Sequence, residues 1–321
     1  MRQIVLALLA LLAVFTLSCS IGCSATSPST DASQDTRTVA TAFGDVKVPI
    51  QPQRVVALGW GDAETALALG IQPVGASDWL AFGGEGVGPW SKGLYDSPPQ
   101  LIGTLEPELE KIAGLRPDLI LDTKSSGDRD RYTALSKIAP TVGIPQGGEM
   151  YNTTWQAQVG LVAEALGRST EGERLIADTT KALSDAAAAN PQFTGKTAVV
   201  GARTSEGFGV YVERDSRTQF LHALGFESPA AVQKLPSDSF SVSLSREDLD
   251  LLDADLTIIT AIGVDNDKIT EDSVLRRLPS VRAGHLVTFD DASVRLAFST
   301  NTAPSIAYAA KVVPPLLSEK L

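Results

Sequence analysis

The feature that most constrains this chain is a segment that recurs, in altered form, in its two halves. Pro107 through Leu121 reads PELEKIAGLRPDLIL, and Leu244 through Ile259 reads LSREDLDLLDADLTII. Each pattern predicts a short helix opening on acidic residues, a tight break, then a buried strand. Each puts one glutamate, Glu110 or Glu247, in the first turns of its helix. Two similar lobes with a carboxylate at an equivalent place predict a surface docked from both sides by a partner.

The rest of the pattern fits that division. Thr38–Phe43 and Val46–Pro49 flank Gly44-Asp45 and predict a hairpin. Arg54–Gly59, Gln72–Ala76, Leu119–Leu121 and Thr141–Ile144 read as buried strands, with a helix from Asp62, as its cap, to Leu69-Gly70. Thr154–Leu166 and Thr170–Ala189 are helical; Leu175, Ile176, Thr179, Leu183 and Ala186 fall on one face of the second. A helix of about 20 residues spans roughly 30 Å and can join two lobes as a stiff strut. A second alternating pattern then runs from Thr197 to a last helix over Pro304–Leu317, with helices at Thr218–Leu224 and Arg246–Leu252. Strands alternating with helices give the expected class: α/β, two Rossmann-like lobes with central, mostly parallel sheets, one long rigid joining helix and a ligand cleft between the lobes. The expected divisions are 39–153, 154–191 and 192–321.

The N-terminal end reads as a secretion signal over residues 1–22, with an apolar run from Ile4 to Leu17 too short to span a bilayer. Cys19 and Cys23 are the only cysteines of the chain, so a disulfide within the globular part is excluded. Cysteines directly after such a run point to lipid attachment. Cys23 is preferred over Cys19 because a Ser/Thr-rich tether, residues 23–38, starts there; its composition cannot bury a core. A doubly acylated cysteine anchors stably. The formal net charge of −11 argues against nucleic acid as a partner.

Six stretches carry a resemblance: Arg54–Gly59, Leu67–Gly75 and Leu109–Ile120, and, in the second half, His222–Phe226, Leu244–Leu249 and Leu278–Gly284. In this order they resemble the iron-siderophore and cobalamin substrate-binding proteins of ABC importers, over residues 38–318. The resemblance implies one chelate bound between two lobes and little hinge motion. It also implies one glutamate per lobe, here Glu110 and Glu247, pairing with arginines of a membrane permease. Separated exposed carboxylates give orientation and on-rate more than affinity. The expected molecule is a monomer that captures an Fe(III)-siderophore outside the membrane, with no resident cofactor.

A bulky ferric chelate needs aromatic walls and cations for its oxygens. Trp60 and Trp79 follow strand ends, where open α/β sheets place ligands. Phe82 and Trp90 lie in a Gly-rich loop, Lys124 follows the third strand, and Tyr151 and Trp155 follow the fourth. In the second half Arg203, Tyr211, Arg214, Arg217, Phe240 and Arg295 are candidates; Arg203 and Arg295 lead.

Other functions find less support. A bare-metal site needs converging His, Asp and Glu, and the chain has only His222, placed in a core helix, and His285. Haem, through Tyr151 or Tyr211, and cobalamin remain alternatives within the same fold. There is no nucleophile elbow, metalloprotease motif or cofactor fingerprint, so no enzyme activity is expected. A signalling scaffold would have lost the cleft aromatics that this chain keeps.

Overall fold

The computed structural model describes residues 35–103, 105–236 and 239–321. The expected signal segment, both cysteines and most of the tether lie outside the described residues. The tether's last residues already belong to β1 (Thr36–Thr41), which pairs antiparallel with β2 (Gly44–Pro49). The turn falls at Ala42-Phe43 rather than at Gly44-Asp45, because Gly44 and Asp45 pair in the ladder with Thr41 and Ala40.

The first sheet has the order β5-β4-β3-β6-β7: β3 (Val55–Ala57), β4 (Gly75–Ser77), β5 (Gln100–Ile102), β6 (Leu119–Leu121) and β7 (Thr141–Val142). All its pairings are parallel. Alternate residues of β3 and β6 enter separate clusters, Val55, Leu119 and Leu121 in one and Val56 and Ile120 in the other. Burial on both faces explains why these strands read as unbroken apolar runs. Helices α1 (Asp62–Ala68), α2 (Leu109–Gly114) and α3 (Arg129–Ser136) connect them.

The second sheet is mixed, with one reversed strand in an otherwise parallel arrangement. Its order is β10-β9-β8-β11-β12: β8 (Ala198–Arg203), β9 (Phe208–Tyr211), β10 (Ser241–Leu244), β11 (Leu256–Ala261) and β12 (Leu286–Val287). β8, β10, β11 and β12 run in one direction, and β9, antiparallel to both β8 and β10, runs against them. The short connection at Thr204–Gly207 permits only a hairpin, since a parallel crossover needs a dozen or more residues.

The recurring segment does the same work in both lobes at its aspartate. Asp118 accepts from the Gln53 and Arg54 N–H groups at 2.7 and 2.8 Å, tying the start of β6 to the start of β3. Asp255 accepts from the Thr197 N–H at 2.8 Å and its hydroxyl at 3.0 Å, tying β11 to β8. The glutamates are less alike. Glu110 lies in the first turn of α2, whereas Glu247 lies in a turn after β10, and the expected helix is reduced to a 3-10 turn over Leu249–Leu252. Both are exposed.

Two helices, α4 (Trp155–Leu166) and α5 (Ser169–Ala189), run between the lobes. Trp155 and Val159 join the core of the second lobe, Leu161, Val162 and Leu166 that of the first, and Leu175 of α5 touches both. The 21-residue α5 is therefore braced by both α4 and the C-terminal helix over Ala303–Ser318. The second lobe is completed by α6 (Ser216–Ala223), α7 (Ala230–Gln233), α8 (Asp267–Thr270), α9 (Pro279–Ala283), α10 (Ala292–Thr300) and α11 (Ala303–Ser318).

A direct tie also crosses the lobes. Glu64 of α1, 3% exposed, accepts from the Thr302 hydroxyl at 2.6 Å and from the Gly88 N–H at 2.9 Å. Thr302 caps α11 with the same hydroxyl, which accepts from the Ser305 N–H at 3.2 Å. Gly61, at φ 80, presses against the Thr302 methyl and leaves no room for a β-carbon.

Thr302→Val should lower stability by about 1–3 kcal/mol, because it strips a donor from a buried carboxylate and a cap from α11. Thr302→Ser should recover most of that loss in urea unfolding. A loss in Thr302→Ser with none in Thr302→Val would show that the methyl, not the hydroxyl, matters.

Candidate functional site

The first sheet changes winding direction between β3 and β6, the place where open parallel sheets bind ligands at strand C-terminal ends. The loops leaving those two strands are bonded there: the Trp60 N–H donates to the Lys124 carbonyl at 2.9 Å. Gln158 of α4 donates to the Trp60 carbonyl at 2.8 Å. Below, Asp62 is fully buried and accepts from the Gly59 N–H at 3.1 Å, the Thr123 N–H at 2.9 Å, Gln158 Nε2 at 2.7 Å and the Thr123 hydroxyl. Burial pushes its pKa up to about 6, although those donors act against the shift. Asp62 is thus a brace under the cleft rather than the simple helix cap expected; the capping position is Gly61. Gly59 has no room for a side chain, since a β-carbon would meet the Asp62 carboxylate and the Lys124 backbone.

Above this brace Trp60 is the middle ring of a three-ring stack. Its centroid lies 4.7 Å from that of Trp79 and 4.3 Å from that of Tyr151. Tyr151 is held by its N–H donating to the Ser125 carbonyl at 2.8 Å. The stack opens into a cavity of about 430 Å³ between the lobes. Lys124 and the 145–154 loop line the near side; Arg214, Asp215, Arg217, Phe240 and the Ser299–Asn301 corner line the far side.

The charges come from identifiable local structure. Asp215 caps α6 by accepting from the Arg217 N–H at 2.9 Å, and pairs with the Arg217 guanidinium at 2.8 Å. That guanidinium sits 4.0 Å from the Tyr211 ring centroid. Arg214 reaches across the cavity to Glu149 at 2.5 Å. Lys124 is 6% exposed, and burial lowers its pKa to about 8, with Asp215 opposing and Arg217 reinforcing the shift. Among the described residues no carboxylate stands within ion-pair distance of its ammonium. Aromatic faces with nearby cations can hold a bulky, partly apolar, oxygen-rich ligand.

A family profile described as periplasmic binding protein matches residues 55–292. The chain belongs to this family. It is 32% identical over 298 residues to the probable siderophore-binding lipoprotein YfiY of Bacillus subtilis, with 88% of each chain covered. It is 28% identical over 263 residues to the Fe(3+)-citrate-binding protein YfmC of the same organism, with 79% of each covered. Among solved structures it is similar to Streptococcus pneumoniae PiaA in complex with ferrichrome: TM-score 0.75, 28% identity, covering 88% of this chain and 98% of that one. A periplasmic solute binding protein from Mycobacterium smegmatis aligns with TM-score 0.77 and 29% identity over the same shares. This is a family of substrate-binding proteins, not of enzymes.

Within this periplasmic binding protein fold, Trp60, Trp79, Tyr151, Arg217 and Phe240 line the cleft. Other candidates from the sequence lie elsewhere. Trp155 is in the core of the second lobe, because α4 points it away from the cleft. Phe82 meets Trp90 edge-on, and Trp90 packs on Tyr308 of α11, so this pair seals the lobe junction. Arg203 lies over Phe208 and donates to the Thr204 and Gly207 carbonyls, closing the β8–β9 hairpin. Tyr211 lies beneath Arg217 and faces a second cavity beside β9 and β10. Arg295 lies on α10 rather than in a loop and is absent from the cleft lining. His222 is only partly buried and meets Ser228 and Glu213 instead of a core. Sequence reasoning passed over Glu149 and gave Lys124 little weight. A cation following a strand at the winding switch was the available signal for Lys124.

Lys124→Met should stabilise the empty protein at pH 7 by about 2–3 kcal/mol, since the fold disfavours the ammonium. Its lowered pKa means that the unfolded chain binds the proton more tightly, so wild-type stability should rise between about pH 8 and 10.5. The Met variant should lack that rise in urea unfolding at pH 7 and pH 10. No gain at pH 7 would sink this account of Lys124.

Proposed function

We propose that this protein captures a ferric siderophore outside the membrane and delivers it to the permease of an ABC importer. The observation that carries this reading is the Trp79–Trp60–Tyr151 stack, with Lys124 beside it and Arg217 on the far side of one inter-lobe cleft. The aromatic faces would take the organic shell of the chelate and the cations its oxygens. Relatives named for siderophore, ferric citrate and iron-hydroxamate binding support the ligand class. Binding, not covalent chemistry, is the whole of the proposed mechanism.

Several features complete the reading. Lipid on Cys23, or else Cys19, would hold the protein at the outer face of the membrane; relatives named as lipoproteins support this. No helix among the described residues is long and apolar enough to cross a membrane. The expected divisions at 39–153, 154–191 and 192–321 serve as working lobe boundaries, and the protein would act as a monomer. Glu110 and Glu247 are exposed, one on each lobe, and among the described residues neither has an ion-pair partner. They would meet basic residues of the permease and set its approach.

Tryptophan fluorescence of the purified full-length protein should be quenched saturably by at least one ferric siderophore, and by neither haem nor cobalamin at the same concentrations. Quenching by haem alone would replace the siderophore reading. Reversing both charges, Glu110→Lys with Glu247→Lys, should leave chelate affinity within about twofold and reduce uptake by intact cells at least about tenfold. Undiminished uptake would remove the docking role.

A further inference from the structure

The cleft holds three cations, Lys124, Arg214 and Arg217, but two of them are already neutralised from within the cavity. Asp215 neutralises Arg217 inside the second lobe. Arg214 is different, because its carboxylate comes from the other lobe. Glu149 stands in the loop between β7 and α4, shaped by a turn in which the Gly148 N–H donates to the Pro145 carbonyl at 2.9 Å. The Asn152 N–H donates to the Glu149 carbonyl at 3.1 Å. From this turn the carboxylate crosses to Arg214 at 2.5 Å, and the guanidinium holds it below the usual carboxylate range.

Both partners stay accessible to water, with side chains 53% and 30% exposed for Glu149 and Arg214. A pair so exposed adds little to stability. Its position has more effect on the cavity than its energy has on the fold. It places a negative charge at the mouth and withdraws a guanidinium from any incoming ligand. What remains unneutralised inside is the single ammonium of Lys124, beside three aromatic rings.

We propose that Glu149 is a specificity-determining residue that selects uncharged ferric chelates over highly anionic ones by occupying Arg214 across the cleft mouth. The proposal rests on the ferric-siderophore reading above. A ferric tris-hydroxamate is uncharged, because three monoanionic groups balance the ferric ion, and needs aromatic contact more than cations. A ferric tris-catecholate keeps a large negative charge. It would have to approach Glu149 and compete with it for Arg214, and like charge at a recognition surface is a source of discrimination.

The test is equilibrium tryptophan quenching of full-length wild type, Glu149→Gln and Glu149→Asp by ferrichrome and by ferric enterobactin, at low and high salt. Wild type should prefer ferrichrome. Glu149→Gln should shift the affinity ratio about tenfold towards the catecholate at low salt and much less at high salt, because the rim charges are screened. Glu149→Asp, which keeps the charge, should return most of the wild-type ratio. A Glu149→Gln variant whose two affinities move together leaves the ratio unchanged, which is what a purely structural role predicts and would overturn the proposal. A wild-type preference for the catecholate would overturn it as well. If wild type binds neither chelate, this proposal falls, and the ferric-siderophore reading falls with it only if no other ferric siderophore quenches the protein; if wild type binds but the ratio stays fixed, only the proposal falls.

Discussion

One helix less than two turns long fixes how the two lobes meet. α1 carries Asp62 and Glu64, both buried, and each carboxylate is surrounded by donors from distant parts of the chain. Asp62 gathers the ends of β3 and β6 and Gln158 of α4. Glu64 gathers the Gly-rich loop at Gly88 and the cap of α11 at Thr302. A buried carboxylate is costly unless its oxygens are satisfied, so losing any one donor penalises the whole arrangement. The Trp90–Tyr308 contact and the close approach of Gly61 to Thr302 reinforce the same junction. Together with α4 and α5 they tie the two lobes together beside the cleft.

The cleft stores its recognition groups at some expense to the fold. Lys124 keeps an ammonium in a buried place that disfavours it. The buried indole N–H of Trp60 has no hydrogen-bond partner among the described residues. Buried polar groups left this way can serve a ligand, and functional sites commonly give up stability for that purpose. Around them the cations are graded by access: Arg217 is clamped by Asp215 and Tyr211, Arg214 meets Glu149 at the rim, and Lys124 has no paired carboxylate among the described residues. In the proposed function this grading, more than the number of cations, sets which chelate charge the cleft accepts.

The sequence by itself determined the α/β class, the two-lobe division and the long joining helix. These follow from local signals: unbroken apolar runs on doubly covered strands, helical spacing along α5 and glycines at helix ends. It also brought Trp60, Trp79 and Tyr151 towards the cleft, because residues after the C-terminal ends of parallel strands must share one edge of the sheet. Only the tertiary structure decided the rest. The antiparallel return of β9 depends on a short connection, not on composition. Trp155 and Trp90 follow strand ends and loops as Trp60 does, yet helix orientation sends one to the core and the other to the lobe junction. Arg203 and Arg217 look alike in sequence, and only their partners, a hairpin's carbonyls in one case and Asp215 at the cleft in the other, separate them. Glu149 and Arg214 are 65 positions apart, and Glu64 and Thr302 are 238 apart; such meetings exist only once two lobes are packed together. Charge pairing across a cleft has no periodicity or spacing rule to betray it, so the fold had to supply it.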